Sequence, residues 1–294
     1  MSPARLVHER REDRGTWWTR TVGTPPSVYG ERWIERGSGL LRSWDPSRSK
    51  LAAALEAGWT GALPDEGERW LYLGASTGTT ASHVADLVGD AGALFAVERS
   101  PRAFRRLLGW ADRWPNVLPI LADARTPVAY AQLVPRVDGI YTDIAQPDQV
   151  DIALDNARRR LRDGGAFLIA LKTASMGRDA SAPVHLERAF ASLERYFDLD
   201  EPLRLSRWHR GHYLIGGRTR PGRWALGPAL TGPPGRPERP RSSPRPHRAT
   251  GDPDRRSDRE SGRSGPRPGR HGTRAGDRPA AGRAGSKPST LPEG

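Results

Sequence analysis

The chain has 294 residues, with 47 Lys and Arg against 34 Asp and Glu, a formal charge of +13, and no cysteine. A disulfide framework, a thiolate nucleophile and a cysteine-ligated zinc site are therefore excluded, and no run of about 18 apolar residues exists to span a membrane. The first residues, MSPARLVHERREDR, lack the apolar stretch of a secretory signal, so an intracellular, cytoplasmic protein is expected.

Residues 1–45 hold four of the ten tryptophans (Trp17, Trp18, Trp33, Trp44) and alternate apolar with polar side chains around VYGERWIER. That pattern predicts a small β-rich N-terminal lobe. DPSRSKLAAALEAGW predicts a helix, with Asp45 as its cap, Pro46 in its first turn, and Leu51, Leu55 and Trp59 on one face. From Trp70 strands and helices alternate. WLYLG is a strand, TTASHVADLVG a helix closed by Gly89, LFAVE a strand, PRAFRRLLGWADRW a helix and NVLPILAD a strand. VDGIYTDI is a strand, PDQVDIALDNARRRL a helix opening on proline, GAFLIALK a strand and APVHLERAFASLERYF a helix. LDEPLRLSRWHRGHYLIGG closes the series as a strand pair with no helix between, hence a hairpin. Short apolar strands alternating with helices over residues 46–217 predict a doubly wound α/β domain, its sheet mostly parallel with one antiparallel strand.

Residues 218–294 differ. They carry 18 basic and 7 acidic residues, a net of +11, against +2 for residues 1–217. Between Leu230 and Leu291 there is no Val, Ile, Leu, Met, Phe, Tyr or Trp. Such a segment buries too little apolar surface to offset ordering entropy, so a disordered Arg/Pro/Gly-rich tail is expected. Three readings of it stand open: an inert solvated extension, an arginine-rich arm that binds RNA through counterion release, and out-of-frame text from GC-rich coding DNA.

In doubly wound sheets the ligand lies at the carboxyl ends of the strands. After the first strand comes Gly74-Ala-Ser-Thr-Gly78-Thr79-Thr80, a GxxxG spacing instead of the GxGxxG of dinucleotide binders, and without the lysine of a phosphate cradle. After the second comes Glu98, 24 residues past Gly74, where an acid grips both ribose hydroxyls. Asp123 follows the third strand, placed to accept from an adenine amino group, and Asp143 follows the fourth. Ribose and adenine contacts without a phosphate cradle describe S-adenosylmethionine and a methyltransferase. A nucleotide-dependent oxidoreductase, or acids that merely cap strand ends, are the alternatives. His83 reads as structural, and Gln146 as a cofactor contact or a helix cap.

LYLGASTGTTASHVADLVGDAGALFAVERSPR, NVLPILADAR, VDGIYTDIAQPDQVDIALDNARRRLRDGG, SVYGERW and WDPSRSKLAAAL together resemble the fibrillarin family, in its short archaeal form, over residues 19–217. YTDIAQPDQ is the most specific of these stretches. The resemblance implies a Rossmann-like class I methyltransferase fold with a seven-stranded sheet. It also implies S-adenosylmethionine-dependent 2′-O-methylation of rRNA, pre-rRNA and tRNA ribose, inside a C/D-box guide ribonucleoprotein with a Nop-type scaffold and a kink-turn-binding ribosomal-type protein. The implied cofactor contacts are Gly74, Ala75, Thr79, Thr80, Glu98, Arg99, Asp123, Ala124, Asp143, Ile144, Ala145 and Gln146; the implied catalytic set is Lys50, Asp143, Lys172 and His212. No metal is implied. Arg99 stands where relatives usually carry an aromatic residue, GASTGTT where two alanines are more usual, and the tail has no counterpart. A protein (histone) glutamine methyltransferase and a non-catalytic subunit of the same particle are the alternative functions.

Composition bears on the same set. The chain has three lysines, Lys50, Lys172 and Lys287, against 44 arginines, and two of the three fall at implied catalytic positions. Arginine is bulkier and does not deprotonate, so a chain that uses it nearly everywhere keeps lysine where a compact, titratable ammonium matters.

Overall fold

Four strands open the chain: β1 (Leu6–Arg11), β2 (Arg14–Arg20), β3 (Trp33–Arg36) and β4 (Gly39–Trp44). They form an antiparallel sheet in the order β1-β2-β4-β3. The computed structural model describes residues 3–11, 14–37, 39–205, 207–220 and 222, so nearly all of the expected tail lies outside the described residues.

Helix α1 (Lys50–Glu56) follows, and it starts later than Asp45 and Pro46 led one to expect. Asp45 uses its carboxylate on the Ser47 amide (2.8 Å), closing a turn. Ser49 takes the cap in extended conformation and accepts from the Ala52 amide at 3.4 Å. A hydroxyl next to the first helical residue satisfies an orphan N–H of the first turn. Lys50 thereby becomes the first helical residue.

The central sheet then builds up. Its elements are β5 (Arg69–Leu73), α2 (Thr79–Val88), β6 (Ala93–Glu98), α3 (Pro101–Ala111), β7 (Val117–Leu121), β8 (Val137–Thr142), α4 (Gln149–Arg160), β9 (Leu161–Lys172), α5 (Ala182–Leu193), β10 (Phe197–Leu199), β11 (Leu203–Arg204) and β12 (His212–Thr219). The order is β10-β12-β9-β8-β5-β6-β7, with the short β11 added on β12. This is the expected mostly parallel sheet of seven strands, plus an eighth of two residues. β5, β6, β7, β8 and β9 pair in parallel, and β12 runs against β9, β10 and β11. Helix α4 begins two residues past Pro147, because Arg125 holds the Asp148 carboxylate (2.8 and 2.9 Å) and keeps that segment in the loop.

Alternate side chains of an extended strand point to opposite faces, and both faces here are buried. Trp70 and Tyr72 enter a core with α1, α2, α3 and the N-terminal sheet; Leu71 and Leu73 enter another with α4 and α5. The N-terminal sheet is also fixed by a buried polar network. The fully buried Arg42 donates to Glu31 (2.8 Å), Asp86 (2.7 Å) and Ser82 (3.0 Å). Asp86 further accepts from Thr19, Thr21 and the Trp114 indole. His83 lies in this network between Thr19 (2.8 Å) and Tyr29 (2.7 Å), stacked on Trp44, which makes it structural. Among the described residues no helix is long and apolar enough to cross a membrane.

Candidate active site

The carboxyl ends of β5, β6, β7 and β8 enclose a cavity of about 200 Å³. Gly74 makes its floor possible. Its φ is +83°, and a Cβ there would stand 2.4 Å from the Asp143 carbonyl oxygen. Only glycine allows the first turn to approach the β8 loop so closely. Gly78, at φ +90°, starts α2 against the Trp110 indole, which would meet a Cβ at 2.3 Å.

Glu98 ends β6 and is 7% exposed. Its two oxygens accept from the backbone amides of Ser76 (2.8 Å) and Ser100 (2.6 Å), so the carboxylate is fixed before any ligand arrives. Asp123 accepts from the Arg125 amide (2.9 Å), with the guanidiniums of Arg99 and Arg125 each 3.7 Å away. Ala124, Asp143, Ile144, Ala145 and Gln146 line the same cavity. Val97, Ala122 and Ile152 add apolar wall suited to a base.

Three residues of the expected set lie elsewhere. Ala75 is buried and lines no part of this cavity. Thr79 faces a different hollow, and Thr80 is buried, its hydroxyl donating to Ser49 Oγ at 3.0 Å. Thr80 also contacts the Tyr72 phenol, which feels the charges of Asp143 and Glu98.

The implied catalytic set converges from four elements. Lys50 Nζ lies 2.7 Å from Asp143 Oδ2, with the two side chains 21% and 18% exposed. Asp143 also lines the cavity, so the ion pair and the cavity share one carboxylate. Lys172 ends β9 and is directly opposite His212, the first residue of β12, which is antiparallel and therefore starts where the parallel strands end. Among the described residues the Lys172 ammonium has no hydrogen bond or ion pair. His212 Nδ1 is 3.1 Å from the Arg210 carbonyl oxygen. Burial, and then the charge of Lys50, hold the His212 pKa below the ordinary histidine value, which favours a neutral imidazole. Tyr72 and Tyr141 are buried near Asp143, rings 4.8 Å apart; burial and then the Asp143 charge push the Tyr72 phenol far up, so it stays protonated.

Sequence reasoning missed three residues here. Arg125 ties Asp123 to Asp148 and to Gln146 Oε1 (2.8 Å), joining the β7 and β8 loops. Gln149, fully buried, accepts from the Lys172 amide (3.0 Å) and donates to the Lys172 carbonyl (3.1 Å). His209 places Nε2 2.9 Å from the Pro46 carbonyl oxygen, 6.1 Å from His212 ring to ring. The signal for Arg125 was its place two residues beyond a strand-end acid. Gln149 and His209 have no local signal, because each acts on a residue distant in sequence.

Among known proteins, the chain matches the family model for fibrillarin over residues 5–221. It is 40% identical over 207 residues to the rRNA 2′-O-methyltransferase fibrillarin of Giardia intestinalis, covering 69% of this chain and 63% of that protein. Thus it spans less than two thirds of that relative's length. The fibrillarin of Aeropyrum pernix, solved with natively bound S-adenosyl-L-methionine, superposes with a TM-score of 0.64 at 35% identity, over 72% of this chain and 98% of the other. A fibrillarin solved in a fibrillarin/Nop5p complex gives 0.64 at 37% identity, over 70% and 94%.

Proposed function

This chain belongs to the fibrillarin family, and we propose that it is an S-adenosylmethionine-dependent RNA ribose 2′-O-methyltransferase acting on rRNA. The observation that carries the reading is the double duty of Asp143, which lines the cavity at the strand ends and holds Lys50 at 2.7 Å. The donor set fits the cofactor: a prefixed carboxylate, Glu98, for the ribose diol; Asp123 for the adenine amino group; apolar wall for the base; no phosphate cradle. The A. pernix structure with bound S-adenosyl-L-methionine supports the assignment. When bound, this cofactor supplies an electrophilic sulfonium methyl.

The residues of the chain then have separable tasks. A ribose 2′-hydroxyl is a poor nucleophile at neutral pH and needs alignment above all. Asp143 accepts a hydrogen bond from that hydroxyl and takes its proton as the oxygen–methyl bond forms, a contribution of about 10²–10⁴ in rate. Lys50 fixes the orientation of the carboxylate. Lys172, held by Gln149 at its backbone, brings an unpaired ammonium to the charge developing on the ribose oxygen. His212, neutral, completes the wall without adding a competing cation.

A core of net +2 binds RNA weakly by itself. The reading therefore includes a cytoplasmic particle in which a Nop-type scaffold docks the enzyme, a kink-turn-binding protein anchors a C/D-box guide RNA, and the guide selects the nucleotide. The fibrillarin/Nop5p complex supports the scaffold. The test is labelled-methyl transfer by the purified chain, with and without those components, to a guided RNA and to histone side by side. Label on RNA at the guided ribose supports the reading. Label on protein alone favours glutamine methylation, and no label on either acceptor in the complete mixture favours a non-catalytic subunit.

A further inference from the structure

A hollow of about 420 Å³ lies between the 26–29 loop, the Thr77–Thr79 turn and α3, outside the site described above. Its walls carry Arg48, Arg106, Arg113, the Tyr29 ring and the Ser27 and Thr79 side chains, and no acidic residue. Arg113 is engaged in structure: it donates to the carbonyls of Thr24 (3.1 Å), Pro26 (3.0 Å) and Gly109 (2.9 Å), which pins the loop to the helix. Arg48 and Arg106 are exposed and, among the described residues, their guanidiniums have neither hydrogen bond nor ion pair. The Arg48 guanidinium lies 5.6 Å from the centre of the Tyr29 ring.

The arginines continue beyond the hollow. Arg102, Arg106 and Arg113 recur on α3 and just past its end at spacings of four and seven, hence on one side of the helix. Gly109 sits in the same row and has no heavy atom within 4 Å of where a Cβ would be, so the row is bordered by open space. Arg99, just ahead of α3, extends it to the rim of the cofactor cavity. At the other end the hollow adjoins the catalytic set: Arg48 is two residues before Lys50, and Thr79 is next to Thr80, which bonds Ser49. Residues 1–217 are nearly charge-balanced as a whole, yet the guanidiniums of Arg48, Arg102 and Arg106 stand here with no ion pair among the described residues, and only Arg99, at the end of the row, has a carboxylate nearby, Asp123 at 3.7 Å. Such a row repels itself and attracts a regularly charged anion laid along it.

We propose that this hollow and the α3 row bind the phosphate backbone of the RNA strand flanking the nucleotide that enters the active site, with Tyr29 offering its ring to an unstacked base. The proposal rests on the RNA-acceptor reading. The guanidiniums of Arg102 and Arg106, one turn apart on α3, meet successive backbone positions and hold the strand in register, without reading its sequence.

The test uses the full chain, a labelled single-stranded RNA and anisotropy over a series of salt concentrations. Arg102→Gln and Arg106→Gln alter exposed side chains without partners, so folding is preserved; Arg195→Gln, exposed at the end of α5 on the other side of the sheet, is the control for charge alone. Each α3 substitution is expected to weaken RNA binding several-fold at low salt and to lower the slope of log K against log salt by about one. S-adenosylmethionine affinity, measured on the same samples, is expected to stay at the parent value. An unchanged slope in the α3 variants, or an equal loss in Arg195→Gln, overturns the proposal while leaving the RNA-acceptor reading in place. Methyl label on protein and none on guided RNA overturns that reading, and this proposal with it.

Discussion

Lys50 and Asp143 are 93 residues apart in the chain and 2.7 Å apart in the fold. The contact joins the first residue of α1 to the residue that follows β8. A point charge on a flexible stem makes it; a guanidinium fork in the same place needs more room and different partners.

Lysine should therefore not be replaceable by arginine at the centre. Lys172→Arg keeps the charge and alters the shape, and near-complete loss of methyl transfer with retained S-adenosylmethionine binding is expected. Asp143→Ala should impair both, because one carboxylate serves the cavity and the ion pair. Single-turnover rates and calorimetry check this; a parent-like rate for Lys172→Arg removes Lys172 from the catalytic set.

Glu98→Ala deletes an acceptor already fixed by two backbone amides. Charge-assisted bonds to a ribose diol are lost from a prebuilt site, so cofactor affinity should fall by about 2 kcal/mol or more. The Ser76 and Ser100 amides lose their partner too, so a modest drop in stability accompanies it. Calorimetric titration with S-adenosylmethionine reads the first effect and denaturant unfolding the second.

Arg42→Met leaves Glu31 and Asp86 buried without their cation. Breaking a buried pair from one side typically costs about 3–5 kcal/mol. Urea unfolding should show that loss, with tryptophan fluorescence as the probe, since Trp33 and Trp114 lie against the Arg42 guanidinium. A change within about 0.5 kcal/mol, the range of ordinary surface substitutions, contradicts the role given to this network.

His83 should make stability acid-sensitive. Complete burial, and then the neighbouring Arg42 charge, hold its folded-state pKa well below the ordinary histidine value. The unfolded chain takes up a proton near pH 6.5 that the folded chain refuses. This part of the stability is thus fully present above about pH 6.5 and is lost as pH falls below it, by up to about 1.4 kcal/mol per unit. His83→Gln should lower stability at neutral pH, through the altered bonds to Thr19 and Tyr29, and flatten the decline between pH 6.5 and 5.5. Unfolding midpoints at several pH values test both.

The alternation of buried side chains along Trp70–Leu73, the glycine turn at Gly74 and the acids closing each strand were legible in the sequence. Each is a local consequence of strand periodicity and turn geometry. The β-rich start was legible for the same reason. The register of the site was not. Asp45 and Ser49 are both good caps, and a turn at Ser47 together with a hydroxyl from Thr80 favoured Ser49, which set where Lys50 points. Thr79 and Thr80 looked like ligand hydroxyls, but Thr79 lines a separate hollow and the buried Thr80 spends its hydroxyl on Ser49. Lys172 and His212 become cross-strand neighbours only because β12 enters between β9 and β10 running antiparallel, which brings its first residue to the end where the parallel strands finish. Local pattern determined which residues end strands and which cap turns. Which of them face one another was decided by packing, because contacts between residues far apart in sequence form only when the sheet closes around its two cores.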